Sequence, residues 1–299
     1  MGPAISYWRP CTPAVLALIT ILAWRPGPAA AEEILRAEAG IVNHRNLSQA
    51  TSRSDIVSDT ALNLDLSAGR YHFFEDGNSI ALNLDLRAAE YQRFHGMSNL
   101  ALGASASFRT KFGVGSFAPW ARASGSLMRE AYRENIRDGW RSSFSLQVGR
   151  RLTESLDVSG GGSLERYDAD HGLQVVPGVS GDAFSIRGHN LFMRTDYNLG
   201  ERWAGYASVN LRRGEVVAST RLDPEIFEYS SAVTRDPAFG ADYIAYRLFG
   251  KTWSFLAGMS WAVNPHASLN FDVTRAITYA ADEIGYRNTQ FNAIFAYRY

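Results

Sequence analysis

Ala61-Leu62-Asn63-Leu64-Asp65-Leu66 recurs without change as Ala81-Leu82-Asn83-Leu84-Asp85-Leu86. In both copies the apolar residues hold alternate positions, with Asn and Asp in between. Successive side chains of a strand point to opposite faces, so each copy has one apolar and one polar face. Asp76-Gly77-Asn78 lies between them, which makes the copies the two arms of a hairpin. Antiparallel partners have position numbers of nearly constant sum. A hairpin centred on residue 76 pairs Asp65 with Arg87 on the polar face, and a one-residue slip would part them. An Asp65–Arg87 ion pair is therefore expected. Two copies are too few for a solenoid.

The same alternation extends in both directions from this hairpin. Upstream, Leu35, Ala37, Ala39 and Ile41 share one face, opposite Arg36 and Glu38. Downstream, Leu100, Leu102, Ala104, Ala106 and Phe108 repeat it within 98–110. Further segments are read at 116–130, 138–151, 155–167, 184–198, 203–217, 243–263 (one long strand), 267–279 and 287–299. Together with the repeated pair this gives twelve segments. Their connections alternate in length. Short turns fall at 76–78, 112–116, 152–155, 199–202 and 264–266; longer polar stretches fall at 44–57, 93–97, 131–137, 168–183, 218–242 and 280–286.

Composition narrows the setting. Lys+Arg and Asp+Glu each number 30, which gives no basic footprint for nucleic acid. Arg9 precedes an apolar run from Ala14 to Trp24; Pro26-Gly27-Pro28 and Ala29-Ala30-Ala31 follow. This is the order of a secretory leader, expected over 1–31 with cleavage after Ala31. Its removal leaves net −2 and takes away Cys11, the sole cysteine. Residues 32–299 then form one cysteine-free domain, in which disulfides and thiolate chemistry have no place.

Twelve such segments are too long for typical soluble strands of about 5–6 residues. They suit tilted strands that cross a bilayer in about 9–11 residues. Apolar outside, polar inside, with short turns at one end and long loops at the other, is the pattern of an all-β transmembrane antiparallel up-and-down barrel. An even strand number puts both termini on one side, the periplasm. Aromatics near the segment ends should form two interfacial belts, with Phe117, Trp120, Trp203, Trp261, Phe271, Tyr297 and Tyr299 at the short-turn end, of which Trp120 points into the lumen by strand parity. Tyr91, Tyr132, Trp140, Tyr167, Tyr243 and Tyr279 stand at the other.

The last segment, Phe291-Asn292-Ala293-Ile294-Phe295-Ala296-Tyr297-Arg298-Tyr299, alternates apolar residues and ends on an aromatic. It resembles the terminal strand of bacterial outer-membrane β-barrel proteins, and the whole of 32–299 is similar to the putative-porin class in pattern. The resemblance implies a Gram-negative outer-membrane location, lipid around the wall, and recognition of the last strand by the outer-membrane assembly machinery.

On the polar face, Arg36, Glu38, Asp65, Asp85, Arg87, Arg122, Arg141, Glu165, Arg194, Asp196, Arg212 and Asp272 are expected to line a pore. The reading is a narrow passive channel for small polar or anionic solutes, without cofactor or metal. Two other classes stay open from the residues: a barrel enzyme acting on lipid or peptide, and a structural or export-associated barrel. The enzyme reading has two starting points. Ser185 and His189 lie four apart, but no third partner is evident. Asp168-Ala169-Asp170-His171 places two carboxylates beside an imidazole on one short run, which reads first as a solvated loop tip.

Overall fold

The computed structural model describes residues 31–280 and 284–299. The expected leader lies outside the described residues apart from Ala31, at which the first strand opens. The strands are β1 (Ala31–His44), β2 (Asp59–Phe73), β3 (Ser79–Tyr91), β4 (Asn99–Lys111), β5 (Trp120–Tyr132), β6 (Gly139–Arg151), β7 (Leu156–Ala169), β8 (Ile186–Asn198), β9 (Trp203–Thr220), β10 (Ala232–Arg235), β11 (Ile244–Asn264), β12 (Ala267–Tyr279) and β13 (Gly285–Arg298). A single helical turn, α1 (Pro224–Glu228), precedes β10. All pairings are antiparallel; β10 pairs with β11 alone and stands outside the wall, where β11 follows β9 directly. β1 meets β13 from Arg36↔Arg298 to His44↔Gln290, which closes a twelve-stranded up-and-down barrel.

The residues explain the closure. On the outer face Leu62, Leu82, Leu164 and Leu191 are each 59–62 % exposed, in line with Phe144, Phe255, Phe271 and Phe291. An apolar surface that encircles the molecule far exceeds the patches a soluble monomer shows. It belongs against lipid, where a free sheet edge would strand backbone N–H and C=O groups without partners. The inner face is polar, and contacts that skip a strand prove that it is the concave one. Arg212 of β9 reaches Glu165 of β7 past β8, at 3.8 Å. Tyr206 of β9 donates to Asp272 of β12 past β11, at 3.3 Å. Both side chains lie over glycines, Gly188 and Gly258, where a Cβ would collide with them.

The repeated hexapeptides pair as the register predicts, with Asp65↔Arg87 and Leu66↔Leu86 across β2 and β3. β11 is one unbroken strand through Gly250-Lys251. β5 starts at Trp120, four residues after the expected 116, because Gly113 and Gly115 take positive φ and Pro119 has no N–H for a ladder. The long-loop aromatic belt is thinner than expected. Trp140 and Tyr279 face outward, whereas Tyr167 and Tyr243 are buried, and Tyr132 bonds to the inward Glu130.

β8 stops at Ile186 and β12 at Tyr279, but β9 and β11 run on beyond both. The overrun begins at the facing pair Gly214↔Gly250. Gly214 has φ +153°, and a Cβ there would meet the Arg187 carbonyl and Gly188 Cα. These are backbone atoms that cannot swing aside. Gly214→Ala should cost about 1–3 kcal/mol, the scale of a strained backbone position. The expected result is a lower temperature for loss of the folded band in heat-modifiability gels, and an unchanged temperature would show that the wall yields at this point.

Candidate functional site

The interior wall from β3 to β8 is built of small polar side chains at matched heights. One row runs Asn83, Ser105, Ser126, Ser143, Glu165 and Gly188. The next runs Ser107, Ser124, Ser145, Ser163 and Asn190, then Arg212, Thr252 and Thr278. Ser124–Ser145 and Ser126–Ser143 hydrogen-bond at 2.8 Å, Asn190 donates to Ser163 at 3.1 Å and Thr252–Thr278 lie at 2.9 Å. Short hydroxyls that satisfy one another leave space and suit water.

Charge is layered along the axis. Towards the long loops, Arg141 bonds Glu130 at 2.5 Å and Glu165 at 3.0 Å, and Arg212 joins from the other side of Glu165. At mid-height Arg87 meets Asp65 at 3.2 Å, and Ser67 donates to Asp85 at 2.7 Å. Both members of the Arg87–Asp65 pair are about half exposed, so the pair is worth at most about 1 kcal/mol. Nearer the short turns, Arg194 chelates Asp196 at 2.7 Å, and Asp272 accepts from Tyr206 and from Asn292. Arg36 and Glu38 lie beside Arg298 at the short-turn end, and Arg122 faces Arg109 across β4 and β5.

The strand register places these twelve residues on the inner side of the wall, most of them in pairs. Sequence reading missed Glu130, the acid that holds Arg141. In 116–130 the inward Met128 and small outward alanines blur the alternation, so strand parity from Arg122 is the signal that finds it.

The long-loop end carries a lid. Segment 221–243, with the overrun of β9 and β11, folds across the mouth and meets every other long loop. Asp223 caps α1 by accepting from Glu225 and Ile226 N–H groups, with Pro224 in the first helical position. Ile226, Val233, Tyr246 and Leu248 then pack with Val216, Ile284 and Tyr286. Ala232 and Ala245 pack with Ile136 and Phe184, and Phe239 and Tyr243 with Leu47 and Phe94.

Polar anchors hold the lid down. Arg137 forks onto Asp236, which is fully buried and also accepts from Ser219; the guanidinium lies over Phe184. Asp55 accepts from Thr220 Oγ1, from Arg221 N–H and from the Arg221 guanidinium. Burial by itself raises the Asp55 carboxyl, but these hydrogen bonds and the Arg221 charge hold it below the ordinary carboxylate range. Burial moves the nearby Glu134 and Asp138 the other way, upward. Beneath the lid is a cavity of about 390 Å³ edged by Arg141, Glu165, Arg212, Glu215 and Tyr286.

The residues that suggested hydrolysis do not converge. Ser185 Oγ accepts from Ala169 N–H at 3.0 Å, and among the described residues it has no bond to His189. His189 shares the outer face with Leu191 and Met193. Asp168 is taken by Arg166 at 2.6 Å and Asp170 by Arg129 at 2.5 Å.

No family model matches the chain, and no curated protein matches it in sequence. Solved structures do resemble it. An outer-membrane channel from Pseudomonas putida F1 is 13 % identical, with TM-score 0.60 over 92 % of this chain and all of the other. The translocator domain of the autotransporter NalP from Neisseria meningitidis is 9 % identical, covering 96 % of this chain and 94 % of its own at TM-score 0.43. The toluene transporter TodX from Pseudomonas putida is 11 % identical, covering 94 % and 92 % at TM-score 0.41. At such identity the first of these likenesses concerns the fold, and the fold is that of an outer-membrane β-barrel.

Proposed function

We propose that the protein is a narrow passive channel of the bacterial outer membrane for small polar or anionic solutes. The observation that carries this reading is the interior wall of Ser, Asn and Thr rows flanked by paired charges. Such a wall hydrates readily and offers ions a path whose field the unpaired charges set. In this reading Arg36, Glu38, Asp65, Asp85, Arg87, Arg122, Arg141, Glu165, Arg194, Asp196, Arg212 and Asp272 line the pore. Residues 1–31 are a cleaved leader, both ends of the barrel face the periplasm, and the assembly machinery receives the strand that ends at Tyr299. The mouth crossed by the lid is the constriction.

Insertion of the purified barrel into a planar bilayer should give discrete ion-conducting steps; a barrel that inserts without steps is not a channel. Asp65→Asn removes one lumen carboxylate and frees Arg87, so the reversal potential in a salt gradient should move towards anion selectivity. No movement would make the pair purely structural.

The lid gives a second expectation. Asp236→Ala leaves Arg137 buried without its partner, a loss of about 3–5 kcal/mol for a broken buried pair. Single-channel conductance should rise as the lid lifts, and equal conductance would place the constriction elsewhere.

pH acts on the same element through Asp55. Its folded pKa is lowered, so its stabilisation is complete above the ordinary value of about 3.9 and is lost as pH falls through the folded one. Glu134 and Asp138 take up protons first and, with raised folded pKa values, do not loosen the fold by doing so. Conductance should therefore increase only below about pH 4, and Asp55→Asn should remove that rise.

A further inference from the structure

The short-turn end of the lumen holds an arrangement that the rest of the wall avoids. Arg36 stands directly opposite Arg298 across β1 and β13, and Arg109 directly opposite Arg122 across β4 and β5. Like charges in facing positions destabilise a sheet. Elsewhere in the interior Arg87, Arg141, Arg151, Arg194 and Arg212 each have a carboxylate within 4 Å. Among the described residues these four arginines have none. Both pairs stand at the short-turn end of the same lumen, with only β2 and β3 between them along the wall.

Two further features give the corner a shape. Trp120 lies across Gly149, where a Cβ would strike its ring, and both Arg109 and Arg122 stack on it at 4.8 and 5.8 Å. The stacking fixes the two guanidiniums side by side, yet Arg109 Nε is buried and has no hydrogen-bond partner. On the other wall Arg36 and Arg298 edge a pocket of about 330 Å³, with Glu38 and His266 at its rim. Glu38 faces the same space and lies beyond ion-pair distance of either arginine. Among the described residues Glu38 is the one acid that edges this pocket, and the corner is positive.

We propose that this corner is a binding vestibule for a small organic polyanion, a solute with at least two carboxylate or phosphate groups. One group meets the Arg36–Arg298 pair and another meets the Arg109–Arg122 pair. Guanidiniums present their N–H donors in the fork that carboxylate and phosphate oxygens match. The ligand charge replaces the missing carboxylates and relieves both repulsive pairs at once. This deepens the channel reading by naming the class of solute that the lumen concentrates at its short-turn mouth.

Titration calorimetry on the detergent-purified barrel tests this without any need for conduction. Citrate and pyrophosphate are the two probes, and glycerol is the uncharged control. Saturable binding of citrate, pyrophosphate or both is expected, and which of them binds separates a carboxylate from a phosphate site. The double variant Arg109→Gln/Arg122→Gln should weaken binding at least tenfold, and so should Arg36→Gln/Arg298→Gln. Arg166→Gln, which removes an arginine on the outer face already held by Asp168, should leave affinity within twofold. In the absence of ligand, each double variant should also melt at a higher temperature than the parent, because a repulsive pair has gone. A residue with a merely structural role would lower it.

No saturable heat with either polyanion overturns the proposal, as does equal loss in Arg166→Gln. A barrel that binds citrate but carries no current would sink the channel reading and leave the vestibule standing. A barrel that conducts and binds neither probe would do the reverse.

Discussion

Closure of the sheet between β1 and β13 is the constraint on which the rest depends. Inside a bilayer no water is available for an open edge, so every strand needs a neighbour on both sides. The pairing from Arg36↔Arg298 to His44↔Gln290 supplies the last of these. Once the cylinder is closed, the period of two has only one reading: leucine and phenylalanine go to lipid, while arginine, aspartate and serine go inside. A lipid-facing arginine near the midplane would cost about 2–4 kcal/mol. Register is then fixed all round, since a one-residue slip in any pair inverts a whole strand.

A closed wall also limits what the interior can hold. Twelve strands enclose less space than wide porins, and long side chains must lie along the wall. Glycine makes that room. Arg212 crosses Gly188 to reach Glu165, Tyr206 crosses Gly258 to reach Asp272, and Trp120 crosses Gly149. The inward glycines thus serve neighbouring side chains more than their own backbone. Contacts that skip a strand tie the cylinder together beyond its hydrogen-bond ladder.

The wall was legible in the sequence because its physics is local. Alternation shows the face of each residue, and the turn at Asp76-Gly77-Asn78 shows the partner of Asp65. The interior charges in that list followed from the same parity, and Glu130 was lost where Met128 broke the alternation. The lid was not legible. The stretch 218–242 read as one polar loop because β10 has only four residues and α1 only five. Their burial comes from five other loops, far away along the chain. The same cause hid the inward turn of Tyr167 and Tyr243: an aromatic at a strand end suits a membrane interface and a buried loop contact equally well. Asp236 and Arg137 are 99 positions apart, and no spacing rule joins them.

The lid is best understood as the consequence of unequal strand lengths. β9 and β11 pair with each other for six residues beyond the last β8 pair and seven beyond the last β12 pair, and this overrun has two exposed edges. Free edges invite pairing with other chains, so they must be covered. β10 covers β11 by pairing Ala232–Arg235 with Ile244–Arg247. Ser180 O then takes the Val233 N–H on the outer side of β10, and Ser48 O takes the Ser219 N–H on the far side of β9, each at 2.8 Å. Loops from β7–β8 and β1–β2 reach both edges only if the extension leans over the mouth. Satisfying the backbone of two overlong strands is therefore enough to place a cap there. The buried Arg137–Asp236 pair fixes its position, since a charge in that interior is tolerated only with its partner in place.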